Sequence, residues 1–265
     1  MGEQMTSRRF AATVDLVEQG LQELSSVLRP NAVDEAHVVP WSLLARARSL
    51  FDGIGWLARG PSEASAWIVL RSLADLSILV AWLRLRIDLH PKLWAAESWR
   101  REIEEVLPSF EMRSAKGEIT DEMRATLELK RRTITEARAL AIAEGVIQSR
   151  SRSLIPSVRA RVQALGTPAA RDAHEILFSP WSEWTHTGSG SLPVRIEGSR
   201  VSFDEGAPRD PVQIRSIASA MYAYVLAELS MWLGLGIHEG CDHLRESLVN
   251  AERDYAREVR SPVPG

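Results

Sequence analysis

LLARARSLFDGIGWLARGPSEASAWIVLRSLADLSILVAWL, residues 43–83, contains one five-residue phrase twice: Arg48-Ser-Leu-Phe-Asp52 and Arg71-Ser-Leu-Ala-Asp75. Each phrase lies in a helix-like apolar run, and Gly60-Pro61 breaks the chain between them. An Arg and an Asp four apart share one helix face. Two such helices joined by a short turn lie antiparallel, so both pairs are expected to point into one interior. As isolated helix pairs they run cation before anion, the less favourable order, so local helix stability is a poor reason for them. Two readings stay open: an ion-pair network that sets helix register, or a polar pocket whose arginines hold a small or nucleotide-like ligand.

Outward from this stretch the pattern stays helical. Phe10, Val14, Val17, Leu21, Leu24 and Leu28 alternate spacings of four and three, an amphipathic N-terminal helix over 1–30 that is ended by Pro30. Its heptad-like seam suits packing in a bundle or a homodimer through residues 10–28. After a loop over 31–39 comes a helix to about Arg59, in which Gly53 and Gly55 are read as points of close helix approach. The helix after Ser62 is apolar nearly all round from Trp67 to Leu83. Lys92 to Leu107 forms the next, with Pro108 to Gly117 as a loop. A long charged helix with a broad solvated face runs from Thr120 to about Gln148. Short helices follow at Pro156–Leu165, closed by Gly166, and after Thr167-Pro168.

Residues 188–210 change character, being rich in Gly, Ser and Pro. Val194–Ile196 and Val201–Phe203 read as a small β-hairpin excursion over 194–203. Asp210-Pro211-Val-Gln213 is a capping box that launches the run Ser216–Ile237, and Leu244, Leu248, Tyr255 and Val259 line a last helix. The expected fold class is therefore all-α, a single multi-helix bundle spanning 1–265 with that hairpin insertion.

Composition excludes several classes. The chain has 265 residues, 25% of them charged, and a net charge of −3, so no global field would hold nucleic acid or an anionic membrane. Cys241 is the one cysteine, which rules out an intrachain disulfide and a multi-cysteine zinc site. Residues 1–9 lack an apolar signal core, and the reading is cytoplasmic. Ser216–Ile237 is long enough to span a bilayer, but Glu228 near its middle and the lack of flanking Lys/Arg clusters favour a buried central helix. A buried carboxylate needs a partner, so Glu228 is expected to meet an Arg of one of the two phrases.

Further chemistry is sparse. Ser182 and His186 stand one helical turn apart, which leaves open a nucleophile–base pair or a capping role near Gly188. Glu183 and His186 make one Glu-x-x-His where di-iron bundles use two, with two further glutamates. His238-Glu-Gly-Cys-Asp-His243 gathers metal-capable side chains, but its spacing is one residue too long for His-Glu-x-x-His, and no metal ligand is assigned. The cofactor, if the chain uses one, is unknown from these residues. The nine tryptophans are read as packing residues.

Three places together, spanning roughly residues 40–190, carry a resemblance. They are the Arg48/Asp52 and Arg71/Asp75 phrases, His90-Pro-Lys-Leu-Trp94 leading to Trp99-Arg-Arg101, and the aromatic–Ser–His set Phe178, Ser182, His186. The chain resembles an uncharacterised, actinobacterial-type family of all-helical bacterial proteins, which implies a helical fold and no settled activity. It is more distantly similar to the HEPN superfamily of helical bundles, many of which are ribonucleases or defence toxins. That likeness implies an Arg–His pair, here Arg84 and His90 with five residues between, though Leu85 replaces the usual polar residue after the Arg.

Overall fold

The computed structural model describes residues 2–28, 38–60, 63–115, 119–178, 194–197, 200–203 and 211–260. Among them are nine helices: α1 Gly2–Val27, α2 Val38–Arg59, α3 Glu63–Leu85, α4 His90–Ala115, α5 Asp121–Ala143, α6 Val158–Leu165, α7 Pro168–Phe178, α8 Pro211–Leu233 and α9 His238–Arg260. Two short strands, β1 Val194–Glu197 and β2 Arg200–Phe203, pair antiparallel and only with each other.

The expected fold class needs correcting. The chain is helical, but it is not one bundle with a hairpin built onto it. It divides into two compact units, Met1–Ala81 with Leu165–Gly265, and Trp82–Ala164, and each has a helical core. Helical periodicity marks which face of each helix is apolar; it does not say which faces share a core.

In the first unit α8 is the centre. Nearly every residue from Ile214 to Ser230 is buried, because α1, α2 and α9 all pack on it. Alanines and serines let these neighbours approach. The α1 seam (Phe10, Val14, Val17, Leu21) is buried within this unit, where α1 packs on α8 and α9. Rings lock the layers: Phe51 of α2 stacks on Tyr222 of α8 with centroids 4.4 Å apart, and Phe10 stacks on Tyr255 of α9 at 5.0 Å. The close approaches fall at Gly20, where a Cβ would stand 3.1 Å from Leu244, and at Gly240, 3.5 Å from Leu24. They do not fall at Gly53 or Gly55: nothing lies within 4 Å of a Cβ at Gly53, and Gly55 faces only Arg59 of its own helix. Helix α8 ends at Gly234, whose φ of +67° costs a glycine little; the amide of Leu235 then donates to the Ser230 carbonyl at 2.9 Å.

Helices α3 and α8 are each long and apolar enough to cross a membrane, with 67% and 72% of the relevant windows buried inside the fold. That burial is the signature of core helices.

The second unit is built on α4 and α5. Its core gathers Leu89, Leu93 and Ala96 with Ala141, Ile147 and Leu154. Helix α4 does not stop at Pro108 but continues to Ala115. Pro108 is exposed, and Ile103, Leu107 and Phe110 continue the stripe toward α5 past it, so packing outweighs the missing hydrogen bond. Helix α5 starts at the Thr120 cap and ends at Ala143, short of Gln148, because Gly145 takes a φ of +68° and the Val146 amide closes onto the Ala141 carbonyl.

Glu97 holds this unit's loop. Its carboxylate is buried, accepts from Arg100 at 2.8 and 2.9 Å, from Arg101 at 3.1 Å and from the Leu154 amide at 2.9 Å. Burial alone would raise its pKa, but these donors outweigh it and bring the group from 4.5 to about 2. The stability it confers is therefore complete above pH 4.5 and is lost as the pH falls from there toward 2. The shift corresponds to roughly 3 kcal/mol. A urea-denaturation series from pH 6 to 2, followed by far-UV circular dichroism, should show this loss, and Glu97→Gln should remove most of the acid-dependent part while lowering stability at pH 7.

Candidate functional site

Between α1 and α2 of the first unit lies a cleft of about 480 Å³. Its lining includes Glu18 and Gln22 of α1, and Phe51, Asp52, Trp56 and Arg59 of α2. On α2 the spacing explains the selection: Arg48, Asp52 and Trp56 are successive turns of one face, and Arg59 follows three residues on.

The charged core beside the cleft is a network centred on Glu18, whose side chain is 9% exposed. Arg215, at the start of α8, donates from Nε to Glu18 Oε1 at 2.8 Å and from Nη2 to Oε2 at 2.6 Å, a two-pronged geometry that suits a guanidinium. Arg215 also pairs with Asp15, one turn earlier on α1. Arg59 Nη2 reaches Glu18 Oε2 at 2.5 Å, and its Nη1 donates to the Gly55 carbonyl at 3.2 Å. A side chain at Gly55 would meet that guanidinium at 3.2 Å, so the glycine leaves room for Arg59 to fold back. Burial works against the charge on Arg215, but Glu18 and Asp15 outweigh it and hold its pKa above the ordinary value. Two carboxylates face two guanidiniums, and the cluster is neutral.

The sequence-predicted residues scatter. Arg48 and Asp52 do not point into an interior: their side chains are each 55% exposed, and the pair is loose at 4.0 Å. The reason is register, since Leu44, Ala47, Phe51 and Ile54 take the buried face of α2. Asp52 nonetheless lines the cleft, and both charges stand close enough to act on the Tyr222 hydroxyl, which burial pushes toward a higher pKa and which donates to Ser25 at 2.9 Å. Arg71 and Asp75 are half-buried on α3, and Glu228 is buried on α8 at 6% exposure; each is engaged with another group, and none lines the cleft. Ser182 and His186, with Glu183, lie outside the described residues. Sequence reasoning missed Glu18, Arg59 and Arg215. The available signal was an acid at position 18, within the Val14–Leu21 stripe, and an arginine in the first turn of the apolar α8.

His90 is not poised for catalysis. Its ring stacks on Trp82 at a centroid distance of 3.9 Å, and its Nδ1 lies 2.6 Å from the Trp82 carbonyl. Burial lowers its pKa. Cys241 is buried too, and burial with Asp242 nearby pushes its thiol up to about 11, which leaves little reactive thiolate. No group of three or more His, Cys, Asp and Glu side chains placed to hold a metal occurs among the described residues.

Removing Arg215 would leave Glu18 buried with one partner. Arg215→Ala should therefore cost about 3–5 kcal/mol, and the double change Glu18→Gln/Arg215→Met should cost less than the single one. Urea-denaturation midpoints of the three variants against wild type read this directly.

No curated protein and no solved structure matches the chain. A family model does match, over residues 37–200, and the chain belongs to that family of unknown function, DUF5677.

Proposed function

We propose that this protein is a cytoplasmic, non-catalytic helical binding protein, and that the α1–α2 cleft takes a small aromatic ligand of the nucleoside type. The observation that carries this reading is the pairing of Trp56, 76% exposed at the cleft, with a charge cluster that is already balanced. An exposed indole offers a face on which a heterocycle stacks, and the amide of Gln22 and the carboxylate of Asp52 supply a donor and an acceptor for its edge or a sugar hydroxyl. The volume falls in the usual range for small-ligand sites. Glu18 and Asp15 balance the guanidiniums of Arg59 and Arg215, and Asp52 stands beside Arg48, so the charges at the cleft among the described residues sum to zero and do not favour a phosphate chain. The nucleotide-like ligand expected from the two Arg–Asp phrases is therefore refined to its uncharged part.

The alternative of a HEPN-like ribonuclease has less support. That reading rests on His186 or on Arg84/His90; His186 lies outside the described residues, and the His90 imidazole is stacked and hydrogen-bonded within its own unit. Self-association would also need a face other than the α1 seam, which α8 and α9 of the same chain cover.

Isothermal titration of the full chain with adenosine and with ATP tests the reading. Adenosine is expected to bind with a Kd near roughly micromolar, ATP no more tightly, and Trp56→Ala should weaken adenosine binding about tenfold or more. A nucleoside panel without measurable binding, or affinity unmoved by Trp56→Ala, would count against it.

A further inference from the structure

A second cleft in the first unit, sharing no lining residue with the one between α1 and α2, runs along α8 beside α7 and α9. It has two lobes, of about 470 and 420 Å³, which meet at Asp172, Ala220, Met221 and Val249. The two lobes differ in charge. In the smaller, Arg245 and Arg253 stand with Asp172 and Glu246, and the signs balance. The larger is lined by Asp172 and Glu175 of α7 and Glu252 of α9, and by no basic side chain. All three acids are exposed, and none has an ion-pair partner among the described residues. Glu175 stands in the last turn of α7, where the helix dipole disfavours an acid, so the stability of that helix does not account for it. Arg245 pairs with Asp242 at 3.3 Å. Burial and the charge of Glu175 hold the Asp172 carboxyl above its ordinary pKa, although Arg171 and Arg245 pull the other way.

Ser216 is an independent sign of a ligand. It is 2% exposed and lies in the lining of the acidic lobe. A serine inside a helix commonly turns its hydroxyl back onto a carbonyl of the preceding turn, as Ser72, Ser77 and Ser247 do. The Ser216 hydroxyl makes no hydrogen bond among the described residues, and the space it borders is the cleft. A buried polar atom in that position is answered by whatever enters.

The charge calls for a cation, and the spread of the acids says which kind. A bare metal ion needs its oxygens to converge within about 2.0–2.6 Å. No group of three or more His, Cys, Asp and Glu side chains placed to hold one occurs among the described residues. The acids come instead from two helices, with the apolar side chains of Met221, Leu248 and Val249 among them. We propose that the acidic lobe binds an aliphatic polyamine, its ammonium groups on Asp172, Glu175 and Glu252 and its methylenes on Met221, Leu248 and Val249. One ammonium N–H donates to Ser216 Oγ, an acceptor that a carboxylate-only surface lacks. Trp67 of α3 lines the same lobe and supplies an aromatic wall, a favoured neighbour for an ammonium group.

Isothermal titration of the full chain with spermidine, and separately with magnesium chloride, tests this at low ionic strength. Spermidine should bind saturably, one per chain, and weaken as sodium chloride is added; magnesium should not match it. Glu175→Gln/Glu252→Gln, at exposed positions whose helix content circular dichroism checks, should weaken spermidine about tenfold or more. Ser216→Ala, which leaves every charge in place, should weaken it about threefold. Diffuse attraction to a negative surface would respond to the first variant and not to the second. No saturable spermidine binding, magnesium bound as tightly, or affinity indifferent to one of the two variants overturns the proposal.

Discussion

The buried carboxylate of Glu18 is the constraint on which the first unit depends. Moving such a group out of water costs several kcal/mol unless every lone pair is answered. Here both oxygens are answered, by Arg215 from α8 and Arg59 from α2. Apolar packing of α1 against α8 and α9 would tolerate a slide of a turn, since leucines and alanines are near-equivalent partners. A two-pronged hydrogen bond does not tolerate it. One ion cluster therefore fixes the register of three helices, and in doing so it places Gln22, Asp52 and Trp56 along the same opening.

The second unit repeats the logic with different parts. Glu97 sits where its helix meets the loop after α5, and it ties Arg100, Arg101 and the Leu154 backbone together. In both units a buried acid on one helix holds something distant in sequence: a helix nearly two hundred residues on in one case, a loop in the other. Apolar stripes supply the bulk of the driving force, and a single answered carboxylate selects one arrangement among the many that would bury similar area.

This division explains what was legible in the chain. Helices were readable because periodicity is local: Thr120 and Thr167 as starts, Gly166 as a stop, α8 as a core rod. The end of α4 was not, because Pro108 signals a break and only the contact with α5 overrides it. The repeated phrase shows the limit most clearly. Arg48-x-x-x-Asp52 and Arg71-x-x-x-Asp75 have the same spacing, yet one pair is half in solvent and the other half-buried on a helix apolar nearly all round. Spacing states that two side chains share a face. Which way the face turns is decided by the rest of the helix, here by Phe51 and Ile54, and by the unit that helix joins.

Similar reasoning separates a solvated charged face from a contact surface. The charged helix α5 reads as mostly solvated, and by composition that is fair. Solvated faces, however, usually mix signs along each helix, where i to i+4 pairs such as Arg132–Glu136 are formed at almost no cost in order. The hairpin keeps to that rule. On α4 Arg100 answers Glu104 at 2.6 Å and Glu97 at 2.8 Å, and on α5 Glu128 stands between Arg124 and Arg131 on one face. Pairs of this kind add little stability but keep both helices wetted, so the apolar stripe, not the charge pattern, decides which faces of the two helices meet.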